Sequence, residues 1–189
     1  MWRSGDVGVR SVLAGLILVA LSAPARAQPP HVVLSPIEVS AGFAVDADNL
    51  GLTLGTAHNV SDRLTIVGDF SKSIKDWSIK PMNWLVVGPR ISTGFVYLGD
   101  GDPEAGRLFA QVLVGGEMSK VAPLRPALQI GGGIDLIEPV AGSRRFGPGP
   151  PPDGTMRVEI DYVVTKGPGV NLSGWRFGFG FVFGPRLSR

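Results

Sequence analysis

Residues Gly174–Phe183 read Gly-Trp-Arg-Phe-Gly-Phe-Gly-Phe-Val-Phe, with an aromatic at every second position from Trp175 to Phe183. Successive side chains of a β-strand point to opposite faces. An extended segment of this composition therefore has one wholly aromatic face and one nearly bare face that carries Arg176. Such a strand either hides its rings in a core or offers them to lipid. That choice governs the reading of the whole chain.

The same two-residue period recurs upstream. Eight segments alternate, at about 36–46, 50–59, 63–73, 83–95, 107–119, 127–137, 155–165 and 174–183, separated by turn signals such as Asp46-Ala47-Asp48-Asn49, Asn59-Val60-Ser61-Asp62 and Gly99-Asp100-Gly101-Asp102-Pro103. A polar stretch, 72–82, follows the third segment. The Gly/Pro-rich run within 138–154 cannot continue a strand and reads as a loop. Pro89 has no N–H for a ladder, so a bulge is expected at Gly88-Pro89. No helix signal of useful length follows the leader. The reading is an all-β, eight-stranded, antiparallel up-and-down barrel over 36–184.

The first 27 residues read as a signal peptide. Basic residues Arg3 and Arg10 precede the apolar run 11–23, which is too short to span a bilayer as a helix, and Ala25-Arg26-Ala27 is a small-x-small cleavage site. Residues 28–35 then form a periplasmic tether and 185–189 a tail. Removing the leader takes Arg3, Arg10 and Arg26 from the 18 basic residues and Asp6 from the 16 acidic ones, leaving 15 of each. With no net charge on the mature part, nucleic-acid binding loses its global support.

The chain has no cysteine, which excludes disulfide scaffolds, thiol catalysis and cysteine-ligated metals. Its two histidines, His31 and His58, are far apart in sequence, and no motif sets either beside a serine and an acid. Gly131-Gly132-Gly133 and the glycines of 147–154 lack the strand-then-helix setting of a phosphate-binding loop. Glu159 and Asp161 share a strand face, an arrangement far commoner in salt bridges than in glycosidases. We therefore expect no catalytic residues, no metal and no cofactor.

One parity of the eight segments is almost free of charge. The other collects Glu38, Asp69, Arg90, Gln111, Glu117, Gln129, Asp135, Arg157, Glu159, Asp161 and Arg176. Two barrels satisfy this pattern. A membrane barrel turns the apolar parity to lipid and the polar parity to its lumen. A soluble secreted barrel of lipocalin type does the reverse, burying Ile66, Leu128, Ile160 and Phe179 around an apolar ligand. Three features favour the membrane form: segments long enough to cross a bilayer at a barrel tilt, a polar parity rich in glycine and in both signs of charge, and an exported chain with an even strand count that closes on an aromatic strand. Ile66, Leu128, Ile160, Trp175, Phe177, Phe179, Phe181 and Phe183 are then expected to face lipid. The charged parity becomes a lumen network, with Asp69–Arg90 and Arg176–Asp161 or Arg176–Glu159 as cross-strand pairs. Eight strands leave an interior filled by side chains, so a narrow pore is a lesser alternative to packing, and a lipid-modifying enzyme a weaker one still.

The runs Asn59–Ser71 (NVSDRLTIVGDFS), Val87–Arg90 (VGPR), Ala127–Asp135 (ALQIGGGID) and Val158–Tyr162 (VEIDY), with the closing run to Phe183, resemble the OmpA-like family of eight-stranded bacterial outer-membrane barrels over about 36–184. The resemblance implies an integral outer-membrane protein of a Gram-negative-type bacterium with both termini in the periplasm. Its role would be structural or interactive, with membrane lipids, lipopolysaccharide and the outer-membrane assembly machinery as partners. A partner bound by the surface loops would be additional, and Trp77, among Lys72, Lys75 and Lys80, is a candidate contact for headgroups. Two departures stand out. Family members end on the final aromatic, whereas six residues follow Phe183 here, and the long connections fall on the side of the termini.

Overall fold

The structure is a computed structural model that describes residues 32–46, 49–76, 83–94, 96–97, 105–118, 124–138, 154–167, 170–184 and 186–187. Its eight long strands are β1 (Ile37–Asp46), β2 (Asn49–Asn59), β3 (Leu64–Asp76), β4 (Asn83–Ser92), β5 (Ala105–Met118), β6 (Arg125–Glu138), β7 (Gly154–Gly167) and β8 (Val170–Phe183). Each pairs antiparallel with its sequence neighbours, and β8 pairs with β1 from Phe183↔Val39 to Arg176↔Asp46. The sheet therefore closes into an up-and-down barrel, which leaves the long strands no free edge. Two-residue pieces flank this frame: Val96–Tyr97 extends the pairing of β5, and Val32–Val33 pairs with Arg186–Leu187 in a separate sheet. The leader 1–27, Trp77, Lys80, His31 and most of the 138–154 run lie outside the described residues.

Strand alternation sorts the side chains as the period requires. Outward positions are apolar and exposed, including Ile66 (41 %), Phe179 (46 %) and Phe183 (60 %). Inward positions hold charged and amide side chains, with Gln129, Asp135 and Asp161 all at 0 % exposure. The usual arrangement of a soluble protein is inverted. The lipocalin-like reading required Ile66, Ile160 and Phe179 inside, and the structure places all three on the outer face.

The bulge expected at Gly88-Pro89 is absent. β4 keeps one register with β3 from Leu64↔Ile91 to Lys72↔Asn83, and one register with β5 on either side of the dipeptide, at Val87↔Val114 and Arg90↔Gln111. The reason is local. Gly88 has no Cβ, and the Val112 carbonyl occupies the space one would take, so β5 closes up against β4 without a shift. The exposed ring of Pro89 lies on the outer face. The register shift falls instead between Leu50 and Gly51, which pair with Lys75 and Ser73, so Ile74 is the extra residue. β3 accordingly runs to Asp76, well into the stretch expected to be polar loop.

The start of β1 and the end of β8 share one end of the barrel, the termini side, with the strand ends Asn59 and Leu64, Ser92 and Ala105, and Glu138 and Gly154. Asp46 and Asn49, Asp76 and Asn83, Met118 and Arg125, and Gly167 and Val170 lie at the other end. The longer connections thus sit with the termini.

Candidate functional site

The lumen holds two layers of paired charge. Nearest the termini, Glu38 (β1), Arg107 (β5), Asp135 (β6) and Arg157 (β7) form a closed group of two cations and two anions. Arg107 donates through Nη2 to both Glu38 oxygens (3.2 and 3.0 Å) and through Nε to Asp135 Oδ2 (2.8 Å). Arg157 donates to the same Asp135 through Nε (2.6 Å) and Nη2 (2.9 Å), and approaches Glu38 at 3.9 Å. Asn59 Nδ2 adds a donor to Glu38 Oε1 at 2.8 Å. All four charged side chains are less than one-tenth exposed. Charges so placed persist only when paired and hydrogen-bonded.

The middle layer is built on amides as well as ions. Arg90 donates through Nε and Nη2 to Gln111 Oε1 (3.0 and 2.6 Å), and Gln111 Nε2 donates onward to Asp161 Oδ1 (3.0 Å). Gln129 Nε2 donates to the other Asp161 oxygen at 3.0 Å. Arg176 reaches Asp69 Oδ2 at 2.9 Å and Glu159 at 3.7 Å, and Glu159 also lies 4.0 Å from Arg90. The Phe109 ring links the layers, its centroid 4.3 Å from the Arg90 guanidinium carbon and 5.2 Å from that of Arg157, a cation–π arrangement with one guanidinium from each layer.

All eleven residues expected in the lumen lie on inward positions, ten of them in these two layers. The pairings differ from expectation in part. Asp69 does not meet Arg90: the register sets Asp69 opposite Val86, and Arg90 opposite Thr65 and Gln111. Arg176 approaches Glu159 as expected, but its hydrogen bond goes across the lumen to Asp69, although Asp161 is its register partner on β7. Glu117, the eleventh, stands apart. It is 2 % exposed in the other half of the barrel, and its Oε2 has no hydrogen-bond partner among the described residues. Arg107, Phe109 and Asn59 belong to the network and were missed, although their parity was readable: Arg107 and Phe109 precede Gln111 in steps of two.

The walls are unequal. β4–β7 supply most of the long side chains, joined by Glu38 from β1 and Arg176 from β8, whereas elsewhere β1, β2 and β8 contribute Ser40, Gly42, Thr53, Gly55, Gly178 and Gly180. Along this thin wall runs a cavity of about 30 Å³ bordered by Asp69, Arg90, Arg157 and Glu159. It has room and polar partners for water but not for a solute. Adjoining it, Ala57, Val67, Trp84, Val86, Leu113, Ala127 and Val163 form an apolar plug, of which Val67 and Leu113 border the cavity. The arrangement can fix the barrel in one register and hold charge internally, and among the described residues it leaves no wide channel.

On the outer face, Ile66, Ile160, Trp175, Phe177, Phe179, Phe181 and Phe183 are exposed and Leu128 is half-buried among its neighbours. Tyr162 and Trp175 meet edge to face at 5.1 Å. His58 is exposed on this face, opposite Ile37 and Ile66 in register.

The Neisserial surface protein A structure superposes on this frame with a TM-score of 0.51, covering 81 % of this chain and 96 % of that one at 9 % identity. The chain has the eight-stranded outer-membrane barrel fold. Other barrels of this fold align more loosely. Yersinia pestis Ail in a phospholipid nanodisc gives 14 % identity, 79 % and 99 % coverage and a TM-score of 0.42, and a de novo designed transmembrane barrel gives 16 %, 82 %, 97 % and 0.42. No protein-family model and no curated protein matches the sequence.

Proposed function

We propose that this outer-membrane barrel is an integral, non-catalytic envelope protein whose role is structural or interactive, exported by its leader and seated in the outer membrane of a Gram-negative-type bacterium. One observation carries the reading: the outer face is a continuous apolar band, with His58 and Lys72 toward its two ends, while the ion-paired charges are buried inside. Water would penalise that band heavily, and lipid would not. From Trp175 to Phe183 the outward rings of β8 cover roughly 26 Å of strand, or roughly 20 Å along the axis at a usual barrel tilt, close to the band of about 25 Å that a bilayer requires. A non-catalytic role is supported by His58, which faces outward opposite isoleucines, away from the serines and acids of the lumen. Lipid and lipopolysaccharide are the expected contacts, and the assembly machinery the expected route of insertion.

Envelope fractionation tests the proposal, with unheated and boiled samples compared on a denaturing gel. The protein should pellet with outer membranes and change mobility on boiling. Recovery in the soluble periplasmic fraction would overturn the reading.

A further inference from the structure

The two chain ends do not simply leave the barrel. The β1–β8 seam ends at Phe183↔Val39, and continuing that register would set Arg186 opposite Pro36. Instead Arg186 pairs with Val33 and Leu187 with Val32, three residues out of step and in a sheet of their own. Gly184 makes the departure at φ +145°, where a Cβ would press on Glu38 Cγ and the Ile37 carbonyl at 3.2 Å.

Between this small sheet and β1 lies Leu34. It packs against Ala105 and Ile137, which are register partners, both wholly buried. Ala105 and Ile137 stand two residues outside Arg107 and Asp135 on the same inward faces, so Leu34 covers the layer directly above the ion-paired group. Asn59 fastens the crossing segment from below. Its Nδ2 donates to the Ser35 carbonyl (2.8 Å), the same atom donates to Glu38 Oε1, and its backbone N–H donates to the Pro36 carbonyl (3.0 Å).

We infer that the paired tails are a latch that holds Leu34 as an apolar lid over the termini-side mouth, sealing the Glu38–Arg107–Asp135–Arg157 group from water. The latch joins the first and last described stretches of the chain, so it forms only once β8 has met β1. The barrel mouth is open before closure and sealed after it. Gly184, Arg186 and Leu187, beyond Phe183, are in this view a working element.

Because the chain has no native cysteine, single-cysteine labelling reads the lid directly. Ala105→Cys is made in the full chain, folded in detergent micelles, checked by the mobility shift on boiling, and treated with a water-soluble maleimide. Labelling should be slow. Leu34→Asp, or removal of residues 185–189, should accelerate it at least tenfold while the heat shift persists, and Ala127→Cys, buried in the far half, should stay protected in both backgrounds. Fast labelling of Ala105→Cys with the latch intact overturns the inference, as does an unchanged rate in both opened variants. Acceleration at Ala127→Cys as well would mean general loosening, which also overturns a lid confined to the mouth. The assay needs no envelope, so it stands or falls separately from the membrane assignment.

Discussion

Arg176 on β8 donates through Nη2 to Oδ2 of Asp69 on β3, 2.9 Å away and 107 residues apart in sequence, spanning the lumen. Both groups are largely shielded from water, and Glu159 lies 3.7 Å from the same Arg176 nitrogen. Removing the cation strands two carboxylates in the interior. Arg176→Met should destabilise the barrel by about 3–5 kcal/mol, read as a lower urea midpoint for loss of the heat-shifted gel form. Asp69→Asn added to it should recover part of the loss, because one of the stranded charges is then gone. Simple additivity of the two substitutions would show that the pair is not coupled.

Glu117 leads to the opposite expectation. Its carboxylate is buried at 2 % exposure in the far half, on a strand position flanked in register by Trp84 and Arg125, with one oxygen lacking a hydrogen-bond partner among the described residues. A buried polar group without its hydrogen bond costs about 1–3 kcal/mol, and more when charged. Glu117→Gln keeps the shape and drops the charge, so its unfolding midpoint should rise or stay level. A fall of the size expected for Arg176→Met would reveal a partner for this carboxylate.

These two residues mark what the sequence alone could convey. Inward or outward placement follows from a period of two, so the eight strands and the lumen residues were readable from alternation. Partners were not, because they depend on which strands face each other after closure. Asp69 and Arg90 stand on adjacent strands, yet the register puts Val86 opposite Asp69, while Arg176 arrives from five strands further on. Arg107 escaped for a smaller reason. The expected segment began at 107, so Arg107 stood at its very end, whereas the strand begins at Ala105 and sets Arg107 two residues inside it. The pairing of Val32–Val33 with Arg186–Leu187 leaves no local signal, since each half is a two-residue piece at opposite ends of the chain.

Glycines inside the barrel give a sharp contrast. At Gly131 an added Cβ would meet Asp161 Oδ1, the Ile160 carbonyl and the Asp161 Cα, so the strand backbones themselves stand in its way. At Gly174 nothing lies within 4 Å, and its φ is not in the left-handed region. Gly131→Ala should cost about 1–3 kcal/mol through forced backbone shifts, and it would also disturb the carboxylate that Gln111 and Gln129 hold. Gly174→Ala should be neutral or gain about 0.4–1 kcal/mol by restricting the unfolded chain. Matched urea titrations of the two variants would separate them, and equal effects would mean that the β6–β7 approach at Gly131 is looser than described.

The outer face supplies the test that bears most directly on the bilayer. Phe179 stands halfway along the aromatic row of β8, and Phe183 at its termini-side rim; both are exposed, at 46 % and 60 %. In water the two positions are equivalent, and an arginine at either would be harmless or even favourable. In a bilayer they differ, because the cost of a charge depends on depth. Phe179→Arg should cost about 2–4 kcal/mol and Phe183→Arg about 0–1 kcal/mol when the proteins are folded into lipid vesicles. The ordering should flatten in short-chain detergent, whose apolar layer is thinner and more yielding. Measured as unfolding midpoints in vesicles, a large penalty at 179 with little at 183 places the row across the membrane. Equal and small effects at both would mean that the aromatic face of the last strand does not meet the hydrocarbon, and the envelope role would lose the observation that carries it.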